Sequence, residues 1–196
     1  MKKLKCNQQS NSDKEIFPTK DKTVQFFKGL VFALSLVLIV LSSNGQQIQE
    51  LNKKLAIMKA SPDPSIRAEG VHLDSLVYNI QPTLYFENGQ LVVVPTETPI
   101  SVNTDVASLN MVLNASYNQV EIICIKIQSL QDLQMYLTLS ILSGYSDLRY
   151  VYFLCTFDIC PGQIAKDTCE LEKIANMVNV GGNTIISVIY SVSIPS

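Results

Sequence analysis

Val120-Glu-Ile-Ile-Cys-Ile-Lys-Ile127 is the stretch of sequence that decides the fold class. Apolar residues occupy both of its alternating sets of side chains, which is typical of a strand covered on both faces of its sheet. The same pattern recurs in Arg149-Tyr-Val-Tyr-Phe-Leu-Cys-Thr-Phe157. Because helices cover both faces of parallel sheets, these two strands predict an α/β fold with a mostly parallel sheet flanked by helices.

The segments that follow these strands supply the expected helices and a third strand. An apolar stripe predicts a helix that is capped by Ser129 and ends near Gly144. A second amphipathic helix is predicted within residues 166–178. Residues 184–194 alternate apolar and serine positions, which predicts a last strand with one polar side, at an edge of the sheet. The stripe of the first helix consists of Leu130, Leu133, Leu137 and Ile141.

A β-hairpin is expected to precede the parallel sheet. Asn88-Gly89 separates the apolar runs 84–87 and 90–94, and this dipeptide supplies the two positive-φ residues of a type I′ turn. A short helix is predicted after the hairpin, with Thr104 as its N-cap.

Residues 46–65 are predicted to be a helix followed by a proline-rich linker. Ile48, Leu51, Leu55 and Met58 recur at helical spacing. Proline restricts the residue before it and removes a donor, so Ser61-Pro-Asp-Pro-Ser65 is expected to end the helix. The α/β domain is then expected to span 66–196.

The amino-terminal part of the sequence predicts a membrane-directed segment. Residues 1–28 are lysine-rich and are expected to be a disordered basic n-region, while residues 29–41 are uncharged and apolar. Small residues follow up to Gly45, so residues 29–45 are predicted to be a secretory signal peptide. A signal anchor held in the membrane through residues 29–41 remains the alternative, because the basic segment is long.

The composition and the absence of known motifs argue against several classes of function. Nearly half of the residues are hydrophobic (47%), as expected of a folded protein, and the formal net charge is −2. The part that follows the apolar segment is acidic and has no basic stripe, which argues against nucleic-acid binding. The chain has one histidine, His72, and no tryptophan. With no nucleophile elbow and no phosphate-binding loop, no catalytic residue and no cofactor are assigned.

The cysteines are compatible with a disulfide between Cys160 and Cys169, and two unpaired, inert thiols at these positions are the alternative. Of five in the chain, Cys160 and Cys169 are the most plausible pair in an exported domain. Cys124 is expected to be a small buried hydrophobe. No Cys-x-x-Cys occurs, and the cysteine spacing matches no zinc pattern, so neither a catalytic dithiol nor a metal site is predicted. Thiol redox sensing through Cys155, Cys160 and Cys169 is a further hypothesis.

Polar residues at the predicted carboxyl ends of two parallel strands form the candidate ligand site. Gln128 and Ser129 follow the first strand, and Thr156 and Asp158 follow the second. Ligands of open α/β sheets bind outside this edge. The competing interpretation, which we prefer, is that Ser129 is only an N-cap and Asp158 only a turn residue.

These observations predict an exported or membrane-anchored protein of the cell envelope, periplasmic or secreted if the signal is cleaved. The chain is expected to act as a non-enzymatic protein-interaction or structural module with a protein partner in the envelope. The alternative is an extracytoplasmic enzyme that uses Ser129 and Asp158 at the strand ends. The sequence predicts no oligomeric state.

Overall fold

The computed structural model describes residues 48–179 and 185–194. The predicted n-region (1–28) and the predicted signal peptide or anchor (29–45) lie outside the described residues. Within the described ranges, no helix has the length and apolar character needed to span a bilayer.

The described residues fold around a seven-stranded sheet with the strand order β1-β9-β7-β5-β4-β2-β3. All neighbours in this order run parallel except β3, which is antiparallel to β2. The predicted α/β class with a mostly parallel sheet is therefore confirmed. The strands are β1 (Ile48–Glu50), β2 (Thr83–Glu87), β3 (Gln90–Val93), β4 (Ser101–Asp105), β5 (Ile122–Ile127), β6 (Leu137–Thr138), β7 (Tyr150–Cys155), β8 (Val178–Asn179) and β9 (Ser187–Val192), of which β6 and β8 form a separate pair.

Helices cover both faces of the sheet. On one face, α1 (Leu51–Lys59) and α2 (Pro64–Tyr78) pack against side chains of β5, β7 and β9 such as Ile122, Tyr150 and Ile189. On the other face lie α3 (Leu109–Leu113), α4 (Lys166–Met177) and two 3₁₀ helices (Asp132–Gln134 and Leu139–Gly144). The central strands β5 and β7 thus have apolar neighbours on both sides, as their sequences predict.

The amino-terminal elements differ from the prediction. Ile48–Glu50 forms β1 beside β9, and the helix begins only at Leu51. The helix ends at Lys59, before Ser61-Pro62, as predicted, but the linker is short, because Asp63 is already the N-cap of α2 and Pro64 lies in its first turn. Proline suits the first helical position, because that N–H would have no partner within the helix. Since β1 lies outside β9, the strand predicted for 184–194 is β9 and is not at the edge.

Two predicted helices are also different in the structure. The expected helix after Ser129 consists of the two 3₁₀ helices separated by β6, which pairs with β8 through Leu137 and Val178. The Asp132 carboxylate accepts the N–H groups of Gln128 and Ser129 at 2.8 and 2.9 Å, so it turns the chain there. Thr104 lies inside β4, and the helix that follows starts at Leu109.

The hairpin forms the far edge of the same sheet. Asn88 and Gly89 have φ values of 53° and 73°, the left-handed pair that a type I′ turn requires. The β2–β3 register shifts between Tyr85 and Phe86, so β3 carries a bulge near Val92. Among the described strands, β3 therefore ends the sheet at the side opposite β1.

Candidate functional site: an open half of one sheet face

The helices α1 and α2 cover the amino-terminal half of their sheet face more completely than the carboxyl-terminal half. Thr83 and Ser101 lie opposite each other in the covered half and are 8% and 7% exposed. Two residues further along the same strands, Tyr85 lies opposite Asn103 and is 38% exposed. α2 ends at Tyr78, and the chain then returns to the sheet at Thr83. The carboxyl-terminal half of this face is consequently open.

Two confluent cavities lie over the open half, and the larger extends to Thr83 and Ser101 at the border of the covered half. The larger has a volume of about 660 Å³ and is called the neutral groove here. The smaller, of about 390 Å³, lies at the carboxyl ends of β2, β4 and β5 and is called the polar cleft. They share a floor because the same four side chains line both, namely Tyr85, Asn103, Cys124 and Leu154. A ligand longer than either cavity can therefore lie continuously across the strands.

The neutral groove is lined by described residues that are all uncharged. Tyr78 (61% exposed) and Ile80, which follows the end of α2, stand at its wall. On its floor the Tyr152 hydroxyl and the Ser191 hydroxyl share a hydrogen bond of 2.6 Å. Burial raises the pKa of Tyr152 to about 12, so this phenol stays neutral at physiological pH. The groove thus presents rings, aliphatic surface and neutral polar groups.

The polar cleft carries charged groups, which come from the ends of three neighbouring strands. Glu87, Asp105 and Lys126 line it. The Asp105 carboxylate accepts the N–H groups of Asn88 and Ser108, each at 2.8 Å. Burial acts to raise the pKa of Asp105, but these hydrogen bonds outweigh it and hold the pKa below its ordinary value. Asp105 is therefore a fixed negative charge that also fastens the hairpin turn.

Several polar side chains of the open face make no hydrogen bond or ion pair with other side chains in the described part of the chain. The side chain of Asn103 makes no hydrogen bond to another described residue, and neither Glu87 nor Lys126 forms an ion pair there. Asn103 is partly buried at the junction of the two cavities. Because Asn103 is only partly buried, its amide can hydrogen-bond to water or to a ligand that enters the groove.

The cleft thiol does not have the properties of a nucleophile. Burial raises the pKa of Cys124 to about 12, and the thiolate is the reactive form of cysteine. Its position in β5 opposite Asn103 and Tyr152 makes it part of the groove floor. The predicted role as a small apolar residue fits this environment.

The four residues predicted at the strand ends are placed differently from one another. Gln128 lines the polar cleft, whereas Ser129, Thr156 and Asp158 do not line either cavity. The Ser129 hydroxyl accepts the Asp132 N–H at 3.3 Å, and the Thr156 hydroxyl donates to the Ile127 carbonyl at 3.3 Å. These two hydroxyls serve local turns of the chain.

Asp158 is held by structural contacts. Its carboxylate accepts from the Lys166 ammonium at 2.5 Å and from the Cys160 N–H at 2.9 Å. The Lys166 hydrogen bond and then the Cys160 N–H lower the pKa of Asp158. A general acid would require a raised pKa, so this geometry favours the interpretation of Asp158 as a turn residue.

The predicted disulfide is confirmed. Cys160, in the loop after β7, is bonded to Cys169 in α4 with a Cα–Cα distance of 6.2 Å. Cys155 is a buried free thiol, and burial raises its pKa to about 12. A redox role is therefore not favoured for Cys155.

The single histidine lies at the opposite end of the sheet. His72, in α2, has its Nε2 2.8 Å from the Glu121 carboxylate, which also lies 3.4 Å from the Arg149 guanidinium. This cluster ties α2 to the amino ends of β5 and β7. Throughout residues 48–179 and 185–194, no group of three or more metal-ligating side chains is found.

The residues that matter most in the open face were not identified from the sequence. Tyr85, Asn103 and Lys126 are far apart in the chain and meet only through the β2–β4–β5 register. A usable signal is Lys126, which is a charge within an otherwise apolar strand. No protein-family model, curated protein or solved structure matches this chain.

Proposed function

We propose that this chain is a non-enzymatic protein-interaction module, exported or membrane-anchored, that holds a segment of an envelope protein in the neutral groove. The observation that carries the proposal is the open half of the sheet face, where Tyr85 is 38% exposed. Both faces of a parallel sheet are normally covered. A partner segment that lies across β4, β5 and β7 would complete this cover.

The exposed apolar surface beside the groove supports a polypeptide partner. Tyr85 pairs with Val93 across the β2–β3 ladder, so the groove floor is continuous with the edge strand. Val93 is 46% exposed and lies beside Tyr85 on the same face of the sheet, because the two residues pair directly. Contiguous apolar surface with polar groups at its border marks protein-binding sites, and a polypeptide can meet both the side chains and the neutral amides of the groove.

The chemistry of the open face supports binding rather than catalysis. The Cys124 thiol is protonated at physiological pH because of its raised pKa. Asp105 is anionic and fastened by two backbone N–H groups, so it is poorly suited to accept a proton at neutral pH. Ser129 and Asp158, the residues of the enzymatic alternative, are engaged in turn contacts outside both cavities.

Export is supported by the sequence and is compatible with the disulfide. The basic segment 1–28 and the apolar segment 29–41 have the order expected of a secretory signal or anchor. Disulfides persist mainly in oxidising compartments. The Cys160–Cys169 bond is consistent with such a location.

Site-specific photo-crosslinking in native cells tests the interaction. A photoreactive phenylalanine analogue at Tyr85 is expected to give a discrete adduct with one protein. The matched control is Tyr136, which is exposed but does not line either cavity. The captured partner, once purified, should bind the wild-type chain and lose affinity for the Asn103→Ala variant. Equal labelling from both positions, or affinity unaffected by Asn103→Ala, contradicts the proposal.

The location is tested separately by the intact mass of the protein from fractionated cells, with and without reduction before alkylation. A soluble species that begins at Gln46 and gains alkyl groups only after reduction means a cleaved signal and an oxidised domain. A membrane-bound species that retains residues 1–45 means a signal anchor. A full-length protein in the cytosolic fraction contradicts export.

A further inference from the structure

We propose that the polar cleft binds the free amino terminus of the partner polypeptide, whose following uncharged residues lie in the neutral groove. This inference rests on the proposed function, because it specifies which part of the partner enters the open sheet face. It commits to a chain terminus rather than to an internal loop.

The continuity of the two cavities sets the position of the terminus. Tyr85, Asn103, Cys124 and Leu154 line both of them, so a bound segment passes from one to the other over a common floor. All described residues of the neutral groove are uncharged, whereas charge is confined to the polar cleft. A ligand that matches this distribution is neutral along most of its length and charged at one end.

The sign of the charge favours an ammonium group. Two carboxylates, Glu87 and Asp105, line the cleft together with one amine, Lys126, which leaves an excess of negative charge. Both Asp105 oxygens already accept one N–H, but a carboxylate has about four lone-pair sites and can accept more. Glu87 has no ion-pair partner among the described residues, so it can meet a cation without losing another contact.

The amine in the same cleft distinguishes a chain terminus from a lysine or arginine side chain. The first residue of a polypeptide places its ammonium next to its own carbonyl oxygen, so it presents a cation and an acceptor together. Glu87 can accept from the ammonium while Lys126 or the Gln128 amide donates to that carbonyl. A lysine side chain offers an ammonium on an apolar stem and would leave Lys126 without an acceptor.

The Asn103 amide can hydrogen-bond to the backbone of the residues that follow the bound amino terminus. Its amide lies where the cleft joins the groove and makes no side-chain hydrogen bond within the described ranges. An amide both donates and accepts, so it can pair with the C=O and N–H of an extended peptide. The neutral Tyr152–Ser191 pair lies further along the groove, away from the charged end.

A peptide-retention experiment on the full-length protein in detergent micelles tests the inference. The probe is a hexapeptide library randomised among alanine, serine, threonine, valine and leucine, prepared with free and with acetylated amino ends. Peptides retained by the immobilised protein are counted by mass spectrometry. We expect acetylation to lower retention at least about tenfold, the size of one charge-assisted hydrogen bond.

Variants of the protein test whether the preference for free amino ends arises in the polar cleft. Glu87→Gln is expected to remove most of the preference for free amino ends, while Asn103→Ala should weaken both forms of the library alike. The matched control is Glu97→Gln, because Glu97 is an exposed carboxylate that lines neither cavity. Thermal unfolding of each variant checks that the fold is retained.

Each adverse outcome has a defined meaning. Equal retention of free and acetylated peptides overturns the terminus inference and leaves the proposed function intact. Equal retention of an acetylated peptide with an internal lysine shows that a side chain occupies the cleft, which also overturns it. Retention of neither library overturns it as well, whereas the proposed function stands or falls independently on the Tyr85 crosslink.

Discussion

Replacement of Gly70 by alanine tests how closely α1 and α2, the two helices that cover the amino-terminal half of the sheet face, approach each other. Gly70 is buried in α2, and a Cβ built on it would lie 2.8 Å from the Met58 Cβ and 3.4 Å from the Lys59 backbone N, both in the last turn of α1. Carbon atoms in favourable contact are about 3.5–4.0 Å apart. The Met58 Cβ is fixed to its backbone, so the helices themselves must move.

Two opposing effects determine the magnitude. Alanine is favoured over glycine in a helix by about 1 kcal/mol. Overpacking of a tight contact costs about 1–3 kcal/mol, and a contact that only helix displacement can relieve belongs in the upper part of that range. We therefore expect Gly70→Ala to lower the free energy of unfolding by roughly 1–2 kcal/mol, as measured by urea unfolding followed by circular dichroism.

The controls separate packing from propensity. Ala68→Gly, at an exposed position of the same helix, is expected to cost about 1 kcal/mol from propensity alone. Met58→Ala should not rescue Gly70→Ala, because alanine keeps the Cβ that causes the contact. A Gly70→Ala variant more stable than the wild type would refute the reasoning, since it would mean that the helices are further apart than described.

Three further predictions concern the disulfide, the hairpin turn and the groove thiol. The Cys160→Ala/Cys169→Ala variant should lose about 2–3 kcal/mol of unfolding free energy, the value for a loop of about ten residues, and reductant should then have no further effect on it. The pKa of Asp105 is lowered in the folded state, so its contribution to the free energy of unfolding is complete above the unfolded-state pKa of 3.8 and is lost as the pH falls through the folded-state pKa. The urea midpoint of the wild type should fall over this pH range because of Asp105, and the midpoint of Asp105→Asn should lack this part of the fall. Burial raises the pKa of Cys124, so the native thiol should react with iodoacetamide at least about tenfold more slowly than after unfolding, and equal rates would contradict this shift.

The elements predicted correctly are those whose surroundings or local geometry allow only a narrow choice of residues. β5 and β7 have apolar neighbours on both faces, so their apolar runs follow from their position in the sheet. α4 and the Asn88-Gly89 turn are likewise determined by short-range patterns.

The elements that the sequence did not predict carry no such distinctive residue pattern. In β4 (Ser-Val-Asn-Thr-Asp), Asn103 and Asp105 face the open half of the sheet, where polar residues are allowed, so the strand lacks an apolar period. β1 has three residues, too few to show a period. The proline-rich segment predicts the end of α1 but not the start of α2, because proline is favourable both after a helix and at the first helical position.

The open face itself could be predicted only in part. The rule that ligands bind at strand carboxyl ends leads to Gln128, which does line the polar cleft. It could not select β2 and β4 as the neighbouring strands, because their order in the sheet depends on pairing between distant segments. Asn103 and Tyr85 are brought together by that register alone.

The position of β9 between β7 and β1 has a consequence for the order in which the domain can assemble. Ile48 pairs with Val188, and α1 reaches the sheet directly after β1. Strand β1 therefore has no place to pair until residues 187–192 have been synthesised and docked beside β7. Contacts between such distant segments are slow to form, so β1 would be protected only after the strands that follow it in the described part of the chain. Such a delay would suit the export proposed above, because a chain that crosses a membrane unfolded must not complete its sheet beforehand.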